Sequence, residues 1–211
     1  MTGDERTQLV EGCENLGIDL PDATSDRLLA YLDLLYFWNR SAGLTSVDRS
    51  RALRLHLIDS LTLVEDLRGA RTIADIGTGG GLPGIPLAIA LEAATVLLVE
   101  SRRRKCSFLH EALRELRLAN CEILECDAGT LEAAGHRFDA VVSRAFLPVS
   151  QWVSFAAPLL RPGGRVLVAA GPDCDVTEVV AAGRSSNLDL KSERSMVLPG
   201  GEESRLILRL E

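Results

Sequence analysis

Between Ala74 and Ala90 the chain reads ADIGTGGGLPGIPLAIA, with five glycines among the eight positions from Gly77 to Gly84. Glycine at that density, set between two apolar runs, serves a ligand that must lie against bare backbone. The stretch reads in two registers. From Gly79 it spells Gly79-x-Gly81-x-x-Gly84, the dinucleotide fingerprint. From Asp75 it spells Asp75-x-Gly77-x-Gly79-x-Gly81, the pattern of S-adenosylmethionine sites. The strand's end favours the second. Apolar character stops at Ile76, so Gly77 opens the turn, and the dinucleotide register leaves Gly77 and Thr78 unexplained. That register also puts Pro83 and Pro86 in a helix start whose free N–H groups should meet pyrophosphate. The Asp75 carboxylate suits a ligand bearing an ammonium and a sulfonium, and would repel a pyrophosphate. Glu100, at the end of the next apolar run, is placed to accept hydrogen bonds from both ribose hydroxyls.

These residues need elements to hold them. From Arg71 onward the runs TIADI, TVLLVE, CEILEC, DAVVS and RVLVAA alternate with segments of helical spacing such as Phe108, Leu109, Ala112, Leu113 and Leu116. Strands buried on both faces and alternating with helices predict an α/β, doubly wound, mostly parallel, Rossmann-like sheet. Two further strands, near Leu188–Leu198 and Ser204–Leu210, flank Pro199-Gly200-Gly201 and predict a terminal β-hairpin whose last strand runs antiparallel at or near an edge. Many methyltransferase sheets end this way. Upstream, Leu28, Leu29, Leu32, Leu35 and Tyr36 share one helix face behind cap candidates Asp22 and Thr24. Leu53, Leu57, Leu61 and Val64 do the same behind Asp48, and a shorter amphipathic segment spans Leu9 to Leu16. The expectation is a helical extension over 1–69 and a cofactor-binding domain with seven strands over 70–211.

Composition narrows the class. The 211 residues are 46% hydrophobic and 25% charged, enough to bury a core. The start MTGDERTQLV lacks a basic region followed by an apolar stretch, and no apolar run approaches the roughly 20 residues needed to cross a bilayer. A cytoplasmic protein with no membrane contact is expected, and a monomer. The five cysteines form no CxxC pair or His/Cys cluster, so they read as reduced thiols and no metal is expected. A net charge of −7 argues against broad nucleic-acid affinity. Its distribution does not: four arginines face one aspartate between Arg40 and His56, and Arg102 to Lys105 read RRRK. Both segments are candidates to border a polyanion.

Taken together, ADIGTGGGLPGIPLAIA, LLVESRRRKCSFLHE, FDAVVSRAF and PLLRPGGRVLV resemble the RsmG (GidB) family. So do the upstream YFWNRSAGLTSVDR and LHLIDSL. The likeness spans about residues 30 to 171. It implies a class I methyltransferase fold and S-adenosylmethionine-dependent methylation of guanine N7 in small-subunit (16S) ribosomal RNA. Alternatives sharing the cofactor loop are a methyltransferase with another acceptor and an inactive relative that binds cofactor or RNA.

The resemblance places Gly77, Thr78, Gly79, Gly81 and Leu82 on the cofactor loop, beside Asp75. Glu100 matches the ribose acid, Asp127 and Ala128 stand where the adenine is bordered, and Arg144 of SRA lies near the methyl-transfer pocket. His56, Asp59 and Ser60 match a HxxDS segment; Trp38 and Asn39 match WN. Contacts to RNA are expected from Arg54, His56, Arg102, Arg103, Arg104, Lys105 and Phe146. Four positions depart from the family pattern: Leu55 stands for arginine, Gly43 for asparagine, Asp127-Ala128-Gly129 for an Arg-Ala-Glu triplet, and Ala170 for lysine. The chemistry tolerates a sparse site. Guanine N7 carries a lone pair and no proton, so no general base is required, only alignment and binding. At the end of the fourth strand, Arg144 is placed to grip guanine O6 or a phosphate.

Overall fold

The computed structural model describes residues 3–144 and 146–211, so Ala145 of the Ser-Arg-Ala segment lies outside the described residues. Helices α1 (Gly3–Glu14) and α2 (Asp22–Ala42) open the chain, followed by a broken helical run. In that run α3 (Arg49–Ala52) passes into a π-helical turn over Leu53–Ile58, then into α4 (Asp59–Leu61) and α5 (Val64–Leu67). Next come β1 (Thr72–Ile76), α6 (Gly84–Ala90), β2 (Thr95–Glu100), α7 (Arg103–Glu115), β3 (Cys121–Glu125) and β4 (Phe138–Val142). The chain closes with α8 (Val149–Ala156), β5 (Leu160–Ala170), α9 (Val176–Ser185), β6 (Leu190–Val197) and β7 (Ser204–Leu210). The strands form one sheet in the order β3-β2-β1-β4-β5-β7-β6. Every pairing is parallel until β7, which is antiparallel to both β5 and β6. The seven-stranded, mostly parallel sheet and its closing hairpin therefore have the expected form.

The two-residue period of the strands builds two cores. Ile73, Val96, Leu98, Ala140, Val142 and Leu167 face the layer containing α6 and α7. Ala74, Ile76, Val99, Val141, Val166 and Val168 face α8 and α9. The helices before Gly69 join the first of these: Leu28, Leu32, Leu57 and Leu61 belong to the same apolar cluster as Ile73 and Leu98. They pack chiefly against α6 and α7 and so extend that layer.

Two local expectations change. Pro21 occupies the α2 N-cap, with no side-chain cap bond, so neither Asp22 nor Thr24 caps. Proline's fixed φ starts the helix without a side-chain acceptor. Asp48 does cap α3, accepting from the Ser50 N–H. The helix after it is not continuous, because the i, i+4 leucine pattern is met equally by a π turn, a form frequent at functional sites.

The basic segment Arg40–His56 is largely paired within the fold. Arg49 pairs with Glu5 and Asp33, while Arg51 and Arg54 share Glu203 from the hairpin. Hydrogen bonds from both arginines hold the Glu203 carboxyl down at about 2. Acids distant in sequence thus absorb most of the excess.

The hairpin is stapled to the helices in the same way. Asp66 on α5 is buried and receives Arg194 of β6 through Nε at 3.1 Å, with Arg209 of β7 at 3.8 Å. Removing the carboxylate leaves the half-buried Arg194 without its counter-charge, while Arg209 keeps Glu211. Asp66→Ala should therefore cost about 1–3 kcal/mol, read as a lower urea midpoint with an unchanged slope.

Candidate functional site

The glycine loop leaves β1 at Gly77, and its backbone explains the composition. Gly77, Gly79 and Gly81 have φ of 69°, 60° and 85°, the left-handed region that side chains avoid. The Gly77 and Thr78 N–H groups both donate to the Val99 carbonyl, tying the turn to β2. Beneath it, Asp75 Oδ2 accepts from Thr78 Oγ1 at 2.5 Å and from the Gly84 N–H at 2.7 Å. Burial pushes the Asp75 carboxyl up to about 6, against the pull of those two bonds and of Arg144. Asp75 is fully buried and anchors the loop from below. Its Oδ1 has no hydrogen-bond partner. Gly81 is likewise structural, since a Cβ there would lie 2.5 Å from Ile85 Cδ1.

Glu100 ends β2 beside the loop. Its Oε2 accepts from the Gly79 N–H at 3.1 Å, its Oε1 from the Arg102 N–H at 2.9 Å, and Lys105 Nζ lies 3.9 Å away. A carboxylate offers about four acceptor positions, so it can still take two ribose hydroxyls. The helices hold the loop from its other side. Buried Tyr31 on α2 donates its hydroxyl to the Gly80 carbonyl at 2.7 Å. Asn39 closes the turn after α2, accepting from the Leu44 and Thr45 N–H groups and donating to the Thr45 carbonyl.

Three cavities converge here. A cleft of about 360 Å³ is lined by Gly77, Glu100, Arg102, Lys105, Asp127, Ala128 and Phe146. A second, of about 500 Å³, takes in Thr78, Gly79, Leu82, His56, Lys105 and Arg144, with Gly77 shared. The third, about 230 Å³, lies between the ends of β4 and β5 and is lined by Asp59, Ser143, Arg144, Phe146, Trp152, Gly171 and Arg205. Phe146 borders the first and third, and its ring lies against Gly77, where a Cβ would approach Cδ2 to 2.5 Å. Ser143 fixes the end of β4 by donating to the Ile76 carbonyl at 2.8 Å.

Arg144 reaches from β4 to the π turn, where its NH1 donates to the Leu55 carbonyl at 3.1 Å and lies 3.3 Å from His56 Nδ1. Nδ1 also lies 3.1 Å from the Leu55 carbonyl and Nε2 lies 2.9 Å from Thr45 Oγ1, so both ring nitrogens are engaged within the fold. Burial, then the Arg144 charge, pull the His56 pKa down to about 4. At 1% exposure, His56 borders the second cavity and lies against Arg144.

Arg54 lies elsewhere. It is spent on Glu203 and the Gly200 carbonyl, away from the three cavities. Arg103 and Arg104 are exposed outside the clefts at the start of α7, where, like Arg102, they make no ion pair among the described residues. Trp38 packs on Phe108, ring centres 6.2 Å apart, as a core residue. Sequence reasoning missed Tyr31, which looks like one more residue of the leucine stripe, and Arg205, which carries no motif.

The first cleft fits S-adenosylmethionine: an acid for the ribose, glycine backbone against the ligand, and an unpaired buried carboxylate oxygen beneath. Comparison with known proteins agrees. The family model described as GidB, rRNA small subunit methyltransferase G, matches residues 24–207. The ribosomal RNA small subunit methyltransferase G of Aromatoleum aromaticum is 39% identical over 208 residues, 95% of this chain and 96% of that one. Its counterpart in Syntrophotalea carbinolica is 35% identical over 211 residues, 97% of each chain. Among solved structures, the mitomycin 7-O-methyltransferase MmcR shares the fold, with a TM-score of 0.60 at 20% identity across 91% of this chain and 73% of that one.

Tyr31→Phe deprives the Gly80 carbonyl of its donor in a buried place. The expected cost is about 1–3 kcal/mol of stability, measured by chemical denaturation, together with weaker cofactor binding by calorimetry.

Proposed function

The chain belongs to the GidB family of rRNA small subunit methyltransferases, and we propose that it methylates N7 of a guanine in small-subunit ribosomal RNA, using S-adenosylmethionine. The observation that supports the choice of N7 is the state of His56, whose pKa is drawn down to about 4 and whose ring nitrogens are both engaged, so it is not poised to take a proton. An exocyclic amine or hydroxyl acceptor would have to surrender a proton; N7 has none to lose.

When bound, the cofactor supplies an electrophilic methyl on a sulfonium. The chain's part is to bind and align. Glu100 accepts the ribose hydroxyls, Asp127 and Ala128 border the adenine, and Thr78, Gly79 and Leu82 face the methionine end. Arg144, steered by the Leu55 carbonyl and His56, meets guanine O6 beside the reacting nitrogen, and its positive charge favours the electron-rich oxygen. Phe146 offers an edge of aromatic surface to a base taken out of its stack. Arg102, Arg103 and Arg104, unpaired in an acidic protein, are the cations left for phosphates. The reaction is that of a monomer acting in the cytoplasm, where its ribosomal substrate is.

The departures from the family pattern are compatible with this. Gly43 sits in the left-handed region, φ 60°, ending α2, a conformation that glycine and asparagine both accept. Leu55 contributes its carbonyl to Arg144, a contact indifferent to its side chain. Gly129 donates its N–H to Asp127, shaping the adenine border through backbone. Ala170 lines the third cavity, where a small side chain leaves room for a base.

Glu100→Ala should weaken S-adenosylmethionine binding by about 1–3 kcal/mol in calorimetry. The acceptor is tested by methyl incorporation into small subunits from a strain lacking this gene, across a salt series. Arg144→Ala should lower kcat. Neutralising Arg102, Arg103 and Arg104 together should raise KM and flatten its salt dependence, with kcat little changed. Cofactor binding without transfer to those subunits or their naked RNA overturns the ribosomal reading.

A further inference from the structure

We propose that Asp59 reads the acceptor base, accepting hydrogen bonds from N1–H and the N2 amine of guanine in the cavity between the ends of β4 and β5. The inference rests on the guanine N7 reading above and adds the residue that selects the base. It begins with the shape of guanine. N7, O6, N1 and N2 follow one another around the ring, the first two acceptors and the last two donors. If N7 faces the cofactor cleft at Gly77 and Arg144 takes O6, the donors come next along the same wall.

Asp59 stands there. It is the one acidic side chain lining the third cavity among the described residues, and it borders the second cavity together with Arg144. It lies one turn beyond Leu55, whose carbonyl receives Arg144, so guanidinium and carboxylate follow each other along one helical run. The rest of the third cavity is largely apolar, with Leu63, Pro83, Phe146 and Trp152 suited to the faces of a flat ring.

The state of Asp59 supports the role. It is buried to 8% exposure and held from behind by Arg205, with Nε donating to Oδ1 at 2.6 Å and NH2 to Oδ2 at 3.2 Å. That pair fixes the carboxylate in orientation, while two of its acceptor positions stay unused among the described residues. A purely structural tie between α4 and β7 would not need to border two cavities. Adenine presents an acceptor at N1 and no amine at C2, so the Asp59 oxygens would meet a lone pair and a missing donor. Hydrogen-bonding sites reject analogues lacking a group more sharply than apolar pockets do, because the buried acceptor is left unpaired.

The test couples the residue to the base. Wild-type protein first locates the methylated nucleotide in subunits from the deletion strain. Subunits are then reconstituted with guanosine or inosine at that position; inosine keeps N7, O6 and N1–H and lacks only the N2 amine. For wild type, inosine should lower kcat/KM by about 10- to 100-fold. Asp59→Asn should lower activity on guanosine by a similar factor and lose most of the discrimination, with S-adenosylmethionine affinity unchanged. That non-additivity belongs to a direct contact. Asp59→Glu, which keeps the carboxylate, should retain the preference for guanosine at reduced kcat, and serves if the asparagine variant fails to fold. Equal wild-type activity on both bases, or losses from Asp59→Asn and inosine that simply multiply, overturns the proposal. Failure of wild type to methylate guanosine subunits overturns the function reading instead.

Discussion

The Asp75 carboxylate, buried under the glycine loop, gathers the Thr78 hydroxyl and the Gly84 N–H onto one oxygen. That single acceptor joins the end of β1, the turn and the first residue of α6, and through them the shape of the cofactor cleft. Little else would fit in its place. A Cβ on Gly84 would lie 2.2 Å from Leu98 Cδ2 and 2.7 Å from Asp75 Oδ2. The site is built by bringing a charge close to backbone where no side chain can intervene, a geometry that costs burial of the carboxylate and gains a rigid loop. Burial pushes its pKa upward, while the Thr78 and Gly84 bonds pull it back.

The helices before the sheet complete the site rather than decorate it. Tyr31 holds the loop from α2, the turn after α2 is pinned by Asn39, and the π turn presents Leu55 and His56 to Arg144. Each contact ends on an atom of the loop, of the strand end, or of a residue lining the cavities. The terminal hairpin closes the arrangement through Arg205 on Asp59 and Arg194 on Asp66. A strand near the end of the chain thereby positions helices near its beginning, and those helices position Arg144 at the cavity between the ends of β4 and β5.

Electrostatics sorts the cations by neighbourhood. Arg49, Arg51 and Arg54 look available in one dimension and are neutralised in three, by acids from α1, α2 and the hairpin. Arg102, Arg103 and Arg104 have no such neighbours among the described residues and flank the cofactor cleft at the start of α7. In a chain of net charge −7, a cluster left unpaired beside a cavity is a local field that the total conceals.

Sequence by itself determined the sheet, the hairpin and the register of the glycine loop, because each depends on local patterns. Near-continuous apolar runs make strands buried on both faces, as the two cores behind Ile73 and Ala74 demonstrate. Left-handed backbone at Gly77, Gly79 and Gly81 tolerates little but glycine, so composition there is conformation. The tertiary structure decided what each polar residue does, because partners come from anywhere in the chain. Asp75 turned inward to Gly84, and His56 became the neutral neighbour of Arg144. Arg54 went to Glu203, nearly the length of the chain away, and Tyr31, one more ring in a leucine stripe, found the Gly80 carbonyl. A hydrogen bond or ion pair between distant residues has no period and leaves no local mark, so only the folded chain discloses it.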